Sequence, residues 1–234
     1  MINTVISNFE TRVKEIDGYF QLLKTIESPD VEFYFANKKT HKSKRVNQDW
    51  PKMLKATAFL VIYNLVESAI REGLGAIYEQ VKSDGLACEA LNEKLQRVWI
   101  DQQYFDIDYF SASPKTFQEK AHAIVESVLS KTTAEMTKSK MAISGNIDAK
   151  QVFRVCKDHG IPSKSHRAAK GAQDLEVVKT QRNALAHGDV SFSDCGRQYA
   201  VADLERIKNE AVIFLRSILR NIRTYSRRKR YASS

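Results

Sequence analysis

Apolar residues recur at steps of three and four over residues 2 to 27, where Val5, Phe9, Val13, Ile16, Phe20 and Leu23 fall on one face of a helix. Pro29 ends that element. From Asp30 to Asp49 the periodicity is lost, and Lys38, Lys39, Lys42, Lys44 and Arg45 occur with no acid between Glu32 and Asp49, so residues 30–49 read as a basic loop. A second helix opens at Asp49-Trp50-Pro51, with Asp49 as its cap and Pro51 in the first turn, where a missing N–H does least harm, and runs to about Lys82. Residues 56 to 66 are apolar nearly all round, the pattern of a helix at the centre of a bundle. Asn64 and Glu67 interrupt it. A buried carboxylate is costly unless paired, so Glu67 is expected to meet an arginine, either as a structural ion pair or in support of a functional guanidinium.

A weaker helix is expected over roughly 87 to 99, followed by an acidic, aromatic connection from Asp101 to Asp108 that lacks the glycine and glutamate of a calcium hand. Another helix starts near Ser113-Pro114 and continues to about Leu129; a polar segment then ends in Ser144-Gly145-Asn146. Residues 148 to 159 form a short helix stopped by Gly160 and Pro162, and a second basic loop over 160–173 carries Lys164, His166, Arg167 and Lys170. Two final helices run from Asp174 to His187 and from about Ala202 to Arg228. The last buries Leu204, Ile207, Ala211, Phe214, Ile218 and Ile222 and sets Arg216, Arg220, Arg223 and Arg227 in a stripe without interleaved acids, leading into a basic tail over 223–234. Such a stripe is either a solvated face or a footprint for RNA phosphates.

Composition agrees with helices. Only nine Gly and four Pro occur in 234 residues, and 43% of the chain is hydrophobic, so we expect a single all-α domain over 1–234. An excess of 37 Lys+Arg over 28 Asp+Glu gives a formal charge of +9, which attracts polyanions. Cys88, Cys156 and Cys195 are widely spaced and odd in number, which supports neither a disulfide framework nor a zinc knuckle. The amino terminus lacks the pattern of a secretory signal, and the run from Ala56 to Val66 is short of the ~18 to 20 apolar residues of a membrane span. The expectation is a cytoplasmic protein with no membrane contact.

One cluster could carry chemistry. At about 100° per residue, Leu175, Val178, Leu185 and Ala186 share an apolar arc and Arg182 falls inside it, an expensive place for a guanidinium unless it is paired, set in an interface groove or kept for function. Asn183 and His187, four apart, lie on the adjoining face, where the amide could orient the imidazole. Gly188 follows as the stop. The negative end of the helix favours a protonated imidazole, so a histidine there can both take and give a proton near neutrality.

Arg182-Asn183-Ala184-Leu185-Ala186-His187-Gly188 resembles the Arg-Asn-x-x-x-His signature of the HEPN superfamily (higher eukaryotes and prokaryotes nucleotide-binding domains). The flanks are similar too: Tyr63-Asn64-Leu65-Val66-Glu67-Ser68 on the second helix, Gly145-Asn146-Ile147-Asp148 before the short helix, and His187-Gly188-Asp189-Val190-Ser191-Phe192 after the motif, which is placed in the penultimate helix. The likeness covers most of residues 1 to 225 and is nearest to the prokaryotic MAE-type HEPN nucleases. It implies a helical bundle that homodimerises so that two Arg/His pairs face one cleft, and a metal-independent endoribonuclease acting as a toxin or antiphage-defence effector under a partner protein such as an antitoxin. By the same resemblance Arg182 and His187 are catalytic, with Asn183 the accompanying polar residue. Some members carry a nucleotidyl-accepting Tyr two residues after the His; this chain has Asp189 there.

Cleavage of RNA without metal needs a base near the ribose 2′-OH, a cation against the phosphate oxygens and an acid for the departing 5′-oxygen. One chain offers one suitable His, so a dimer supplies base and acid together and Arg182 holds the phosphate with its planar fork. The product expected is a 2′,3′-cyclic phosphate. No phosphate-binding loop, dinucleotide fingerprint, zinc-protease helix or nucleophile elbow occurs, so neither cofactor nor metal is expected, and His41, His122, His159 and His166 read as surface or core residues. The competing readings are a non-catalytic RNA-binding or protein-interaction bundle and, more remotely, a bundle that binds a free nucleotide.

Overall fold

The computed structural model describes every residue except Pro29, Lys38, Lys39, Ala142, Ser144 and Ser234, and describes residues 34–44 and Gly171 by their backbone alone. Helix α1 (Ile2–Glu27) buries Phe9, Val13, Ile16, Phe20 and Leu23 on the face its periodicity marks out. Helix α2 (Asp49–Ser83) is the hub, with Ala56, Phe59, Ile62, Tyr63, Leu65 and Val66 inside the core. Its capping differs from expectation. Gln48 occupies the cap position, and Asp49 sits in the first turn, where it pairs with Lys52 at 2.9 Å and its N–H donates to Asn47 Oδ1.

Helix α3 (Glu93–Gln103) starts later than its sequence pattern suggests, because Cys88–Ala90 make a separate 3-10 turn and Asn92 caps the helix by accepting the Leu95 N–H. Helix α4 (Pro114–Leu129) is capped by Ser113, and α5 (Ala149–Asp158) by Asp148. Helix α6 (Leu175–His187) precedes α7 (Phe192–Arg197) and α8 (Val201–Arg227). The six-residue α7 was not anticipated; Ser191 caps it at 3.1 Å, and it makes the motif helix third from the end rather than penultimate. Helices α1, α6, α7 and α8 all pack on α2. The result is an all-α architecture.

Two expected loops are ordered instead. Residues 30–49 contain an antiparallel hairpin of β1 (Glu32–Asn37) and β2 (Thr40–Arg45), in register from Glu32 opposite Arg45 to Asn37 opposite Thr40. The lysines obscured a strand signal that Phe33, Tyr34 and Phe35 supply, aromatic residues that suit a pleated surface. Lys38 and Lys39 lie outside the described residues, as does Pro29. In the second basic loop, Arg167–Ala172 form a 3-10 helix against α8, with Lys170 paired to Glu210 at 3.0 Å.

The basic tail is tied down as well. Asn92 N–H donates to the Tyr231 carbonyl at 2.8 Å and Ser233 N–H to that of Ala90 at 2.9 Å. The buried Tyr231 phenol donates to Asp84, which also pairs with Lys229. By length and composition α2 contains a window apolar enough to cross a membrane, a correction to the short run read from the sequence; half of that window is buried inside the protein, as for the central helix of a bundle.

Candidate active site

Helix α6 lies against α2, and its Leu175, Val178 and Leu185 are buried. Ala186 is exposed, so the apolar arc is narrower than its sequence suggests. Arg182 sits half-buried at the edge of that arc. Its guanidinium carbon lies 4.6 Å from the centroid of the Tyr63 ring, and its Nη1 donates to Asn183 Oδ1 at 2.9 Å. Among the described residues no carboxylate is within ion-pair reach of it. A ring face and an amide oxygen therefore take the place of an acid, and both stabilise the cation without neutralising it.

Asn183 does not orient His187 as expected. Its amide Nδ2 donates to Asn146 Oδ1 at 3.0 Å, so the side chain bridges Arg182 to the loop before α5. His187 is the last residue of α6 and is exposed. Gly188 follows at φ +77°, a left-handed conformation that suits glycine, and the N–H groups of Gly188 and Asp189 both donate to the Ala184 carbonyl, closing the helix end. Among the described residues nothing hydrogen-bonds the His187 imidazole. Arg182, Asn183 and Asn146 thus form one bonded chain, with His187 free at the mouth of the same helix.

Glu67 finds its arginine one turn away on its own helix: Arg71 Nη1 lies 3.2 Å from Glu67 Oε1, and Arg71 Nη2 donates to the Lys138 carbonyl. The structural pairing is the one observed. Its link to Arg182 runs through Tyr63, which is 1% exposed and whose hydroxyl accepts the Ile147 N–H at 3.4 Å. Burial pushes the Tyr63 phenol up, the Ile147 N–H opposes this, and the charges of Glu67 and Arg182 act on it with opposite sign. Asn64 is exposed; with Glu67 it lines an open groove of about 560 Å³ that also touches Arg12 and Arg71. Neither Arg182 nor His187 lines that groove.

Two further groups hold the site together and were not singled out by sequence reasoning. Asp148 Oδ1 accepts the Gln151 N–H at 2.8 Å, capping α5, while its Oδ2 pairs with Lys179 of α6 at 2.5 Å. Burial alone would raise the Asp148 carboxyl, but Lys179 and the Gln151 N–H outweigh it and hold the group below the usual carboxylate range. The segment Asn146–Asp148 is consequently fastened to α6 by Asn183 and Lys179, and to α2 by Tyr63. The only sequence signal for it is its place in the quoted flank.

The arginine stripe divides. Arg216 makes a two-pronged pair with Glu10 of α1, at 2.9 and 2.6 Å, so the acid missing from the stripe itself arrives from another helix. Arg220 and Arg227 are exposed and Arg223 half-buried, with no carboxylate partner among the described residues. Arg216, Arg220 and Arg223 line a groove with Ile6, Phe9 and Glu10 of α1, whereas α6 packs on α2 and α7, and among the described residues no bond joins the stripe to Arg182.

The other histidines are committed elsewhere or lie apart. His159 is buried in the core: its Nδ1 lies 2.8 Å from the Val155 carbonyl, so that nitrogen carries the proton and Nε2 accepts from the Tyr78 hydroxyl at 2.7 Å. His166 Nδ1 caps the 3-10 helix by accepting the Ala168 N–H, and His122 is exposed on α4. The His41 side chain lies outside the described residues.

Searches of curated proteins and of solved structures return no match. A family model does match, the MAE_28990-like HEPN model, over residues 1–231. That span takes in all of α1 through α8, and it includes the Arg182–His187 motif, the Tyr63 helix and the Asn146 loop whose contacts are described above. The chain belongs to the MAE_28990-like HEPN family.

Proposed function

We propose that this HEPN protein is a metal-independent endoribonuclease whose site is completed by a second copy of the chain, with Arg182 and His187 as its catalytic residues. The observation that carries the reading is the state of Arg182. Among the described residues it is a half-buried guanidinium with no acid against it, held in orientation by Asn183 and Asn146, and an imidazole with no hydrogen-bond partner stands at the end of the same helix. A fixed, unneutralised fork of N–H donors suits the two non-bridging oxygens of a phosphodiester.

The chemistry follows from what one chain lacks. Transesterification needs a base and an acid, yet among the described residues His187 has no second imidazole bonded to it: His159 is sealed in the core and His166 caps a 3-10 helix. Two copies related by a two-fold axis bring two His187 side chains to one linkage. The imidazole of one copy takes the 2′-hydroxyl proton as the 2′-oxygen attacks phosphorus. The bond from phosphorus to the 5′-oxygen breaks, and the imidazolium of the other copy gives that oxygen its proton. The products are a 2′,3′-cyclic phosphate and a 5′-hydroxyl. DNA has no 2′-hydroxyl and resists cutting. An enzyme of this kind acts as a toxin or antiphage-defence effector restrained by a partner protein. Asp189, where some relatives carry an acceptor tyrosine, points away from control by nucleotidyl transfer.

The test is cleavage of single-stranded RNA by the purified chain in EDTA. Arg182→Ala and His187→Ala should each lower the rate by about 10² to 10⁴, the range for loss of a transition-state cation or a general acid–base group. Undiminished cutting by either variant refutes the assignment.

A second reading is favoured by Arg220, Arg223 and Arg227, cations on one face of α8 without carboxylate partners among the described residues. In that reading the bundle binds RNA through the stripe and cuts nothing. His187→Ala would then leave its action in cells intact.

A further inference from the structure

The ring beneath Arg182 belongs to none of the roles assigned so far. Tyr63 is 1% exposed and cannot reach RNA, so whatever it does is done through its neighbours. Three of them matter. Its face lies 4.6 Å from the Arg182 guanidinium carbon, its hydroxyl accepts the Ile147 N–H next to Asn146, and Glu67 stands one turn further along α2.

We infer that Tyr63 is a positioning residue of the RNA-cleaving site: its ring holds the Arg182 guanidinium in the attitude that meets the scissile phosphate. This inference rests on the ribonuclease reading given above. The ring supplies the attraction that an acid would supply at an ordinary half-buried arginine, through its quadrupole and without consuming the N–H donors in a salt bridge. Asn183 then takes one of those donors, Nη1, and fixes rotation about the long axis of the side chain. The remaining donors stay available to phosphate. A carboxylate in place of the ring would hold the guanidinium as firmly but would cancel its charge and occupy its fork.

The same tyrosine sets the other wall. Its hydroxyl meets Ile147, the residue after the Asn146 whose side chain steadies Asn183. One buried side chain on α2 therefore registers both the cation and the loop that orients it. The hydroxyl's contact with Ile147 is long at 3.4 Å, and Glu67, which it also meets, already has Arg71 as its partner, so the ring is the larger contributor and phenylalanine should replace tyrosine with little loss.

The experiment compares Tyr63→Phe and Tyr63→Leu in the full chain. Tyr63→Leu should lower kcat about tenfold at nearly unchanged KM, and Tyr63→Phe should stay within about twofold of the parent. In nuclear magnetic resonance spectra, the Arg182 δ-proton signals should lie upfield in the parent and in Tyr63→Phe, displaced by the ring current, and return to ordinary positions in Tyr63→Leu. Leucine cutting at the parent rate, phenylalanine cutting as slowly as leucine, or a parent spectrum without the upfield shift overturns the inference. If Tyr63→Leu does not fold, the parent spectrum and Tyr63→Phe still decide it. A parent that cuts no RNA but shows the shifted signals refutes the nuclease reading while leaving the ring under the guanidinium established.

Discussion

Replacing Gly196 by alanine tests how tightly the short helix after the motif is seated. A Cβ built there comes 1.8 Å from the Lys52 carbonyl oxygen and 2.6 Å from its carbon, atoms of the α2 backbone with no rotamer to retreat into. To restore even the closest tolerable approach of 3.0 Å, α7 must withdraw from α2 by more than an ångström. That shift loosens Cys195, a fully buried residue of α7 whose thiol donates to Gln181 beside Arg182. Overpacking of this kind costs about 1–3 kcal/mol, and a rigid backbone obstacle puts it at the upper end. In a chain of this size a kilocalorie moves the melting temperature by roughly 2–4 °C, so Gly196→Ala should melt about 5–10 °C lower. Gly18 is the control. It sits exposed in the middle of α1 with nothing within 4 Å of an added Cβ, so Gly18→Ala should gain about 0.5–1 kcal/mol from helix propensity and melt about 1–4 °C higher. Thermal unfolding followed by circular dichroism reads both. Equal melting temperatures for the two variants would refute the packing of α7 on α2.

Burial lowers the proton affinity of His159 in the folded chain, against opposing effects of the Val155 carbonyl and Asp158. The folded protein therefore binds fewer protons there than the unfolded one. This stability is fully present above the ordinary imidazole value of ~6.5 and is lost as pH falls below it, at up to about 1.4 kcal/mol per pH unit. Urea midpoints between pH 7.5 and 5.5 should fall for the parent and flatten for His159→Gln; equal slopes would contradict this. On α8, changing Arg220, Arg223 and Arg227 together to alanine should weaken RNA binding and reduce the salt slope by about two, at ~0.7 per single-strand phosphate contact. Arg216→Ala should barely alter that slope, because Glu10 already holds the guanidinium. An unchanged slope in the triple variant would remove the stripe from the RNA path.

Helices with strong apolar periodicity were legible in the sequence to within a residue or two. The bounds of α1 and α4 match, and the core face of α8 is the one its Leu204, Ile207 and Phe214 pattern marks out. Elements whose order comes from elsewhere were not. The hairpin was hidden by lysines, and α7 is six residues long with a glycine in it, too short for a period to show. At the site, the spacing of Arg182, Asn183 and His187 on one helix was readable, but the partners were not. Asn183 turns to Asn146, thirty-seven residues earlier, and Arg182 to Tyr63 on α2, and no local pattern encodes such long-range meetings. Glu67 illustrates the converse: its need for an arginine followed from elementary electrostatics, and the arginine supplied was the i+4 neighbour.

The ends left on cut RNA bear most directly on the central claim. Incubated with the chain in EDTA, an RNA carrying a single 2′-deoxy substitution at one preferred site should be cut everywhere else, leaving 2′,3′-cyclic phosphate and 5′-hydroxyl ends. Cleavage at the substituted linkage, or 3′-hydroxyl and 5′-phosphate ends, would contradict attack by the ribose oxygen under Arg182 and His187.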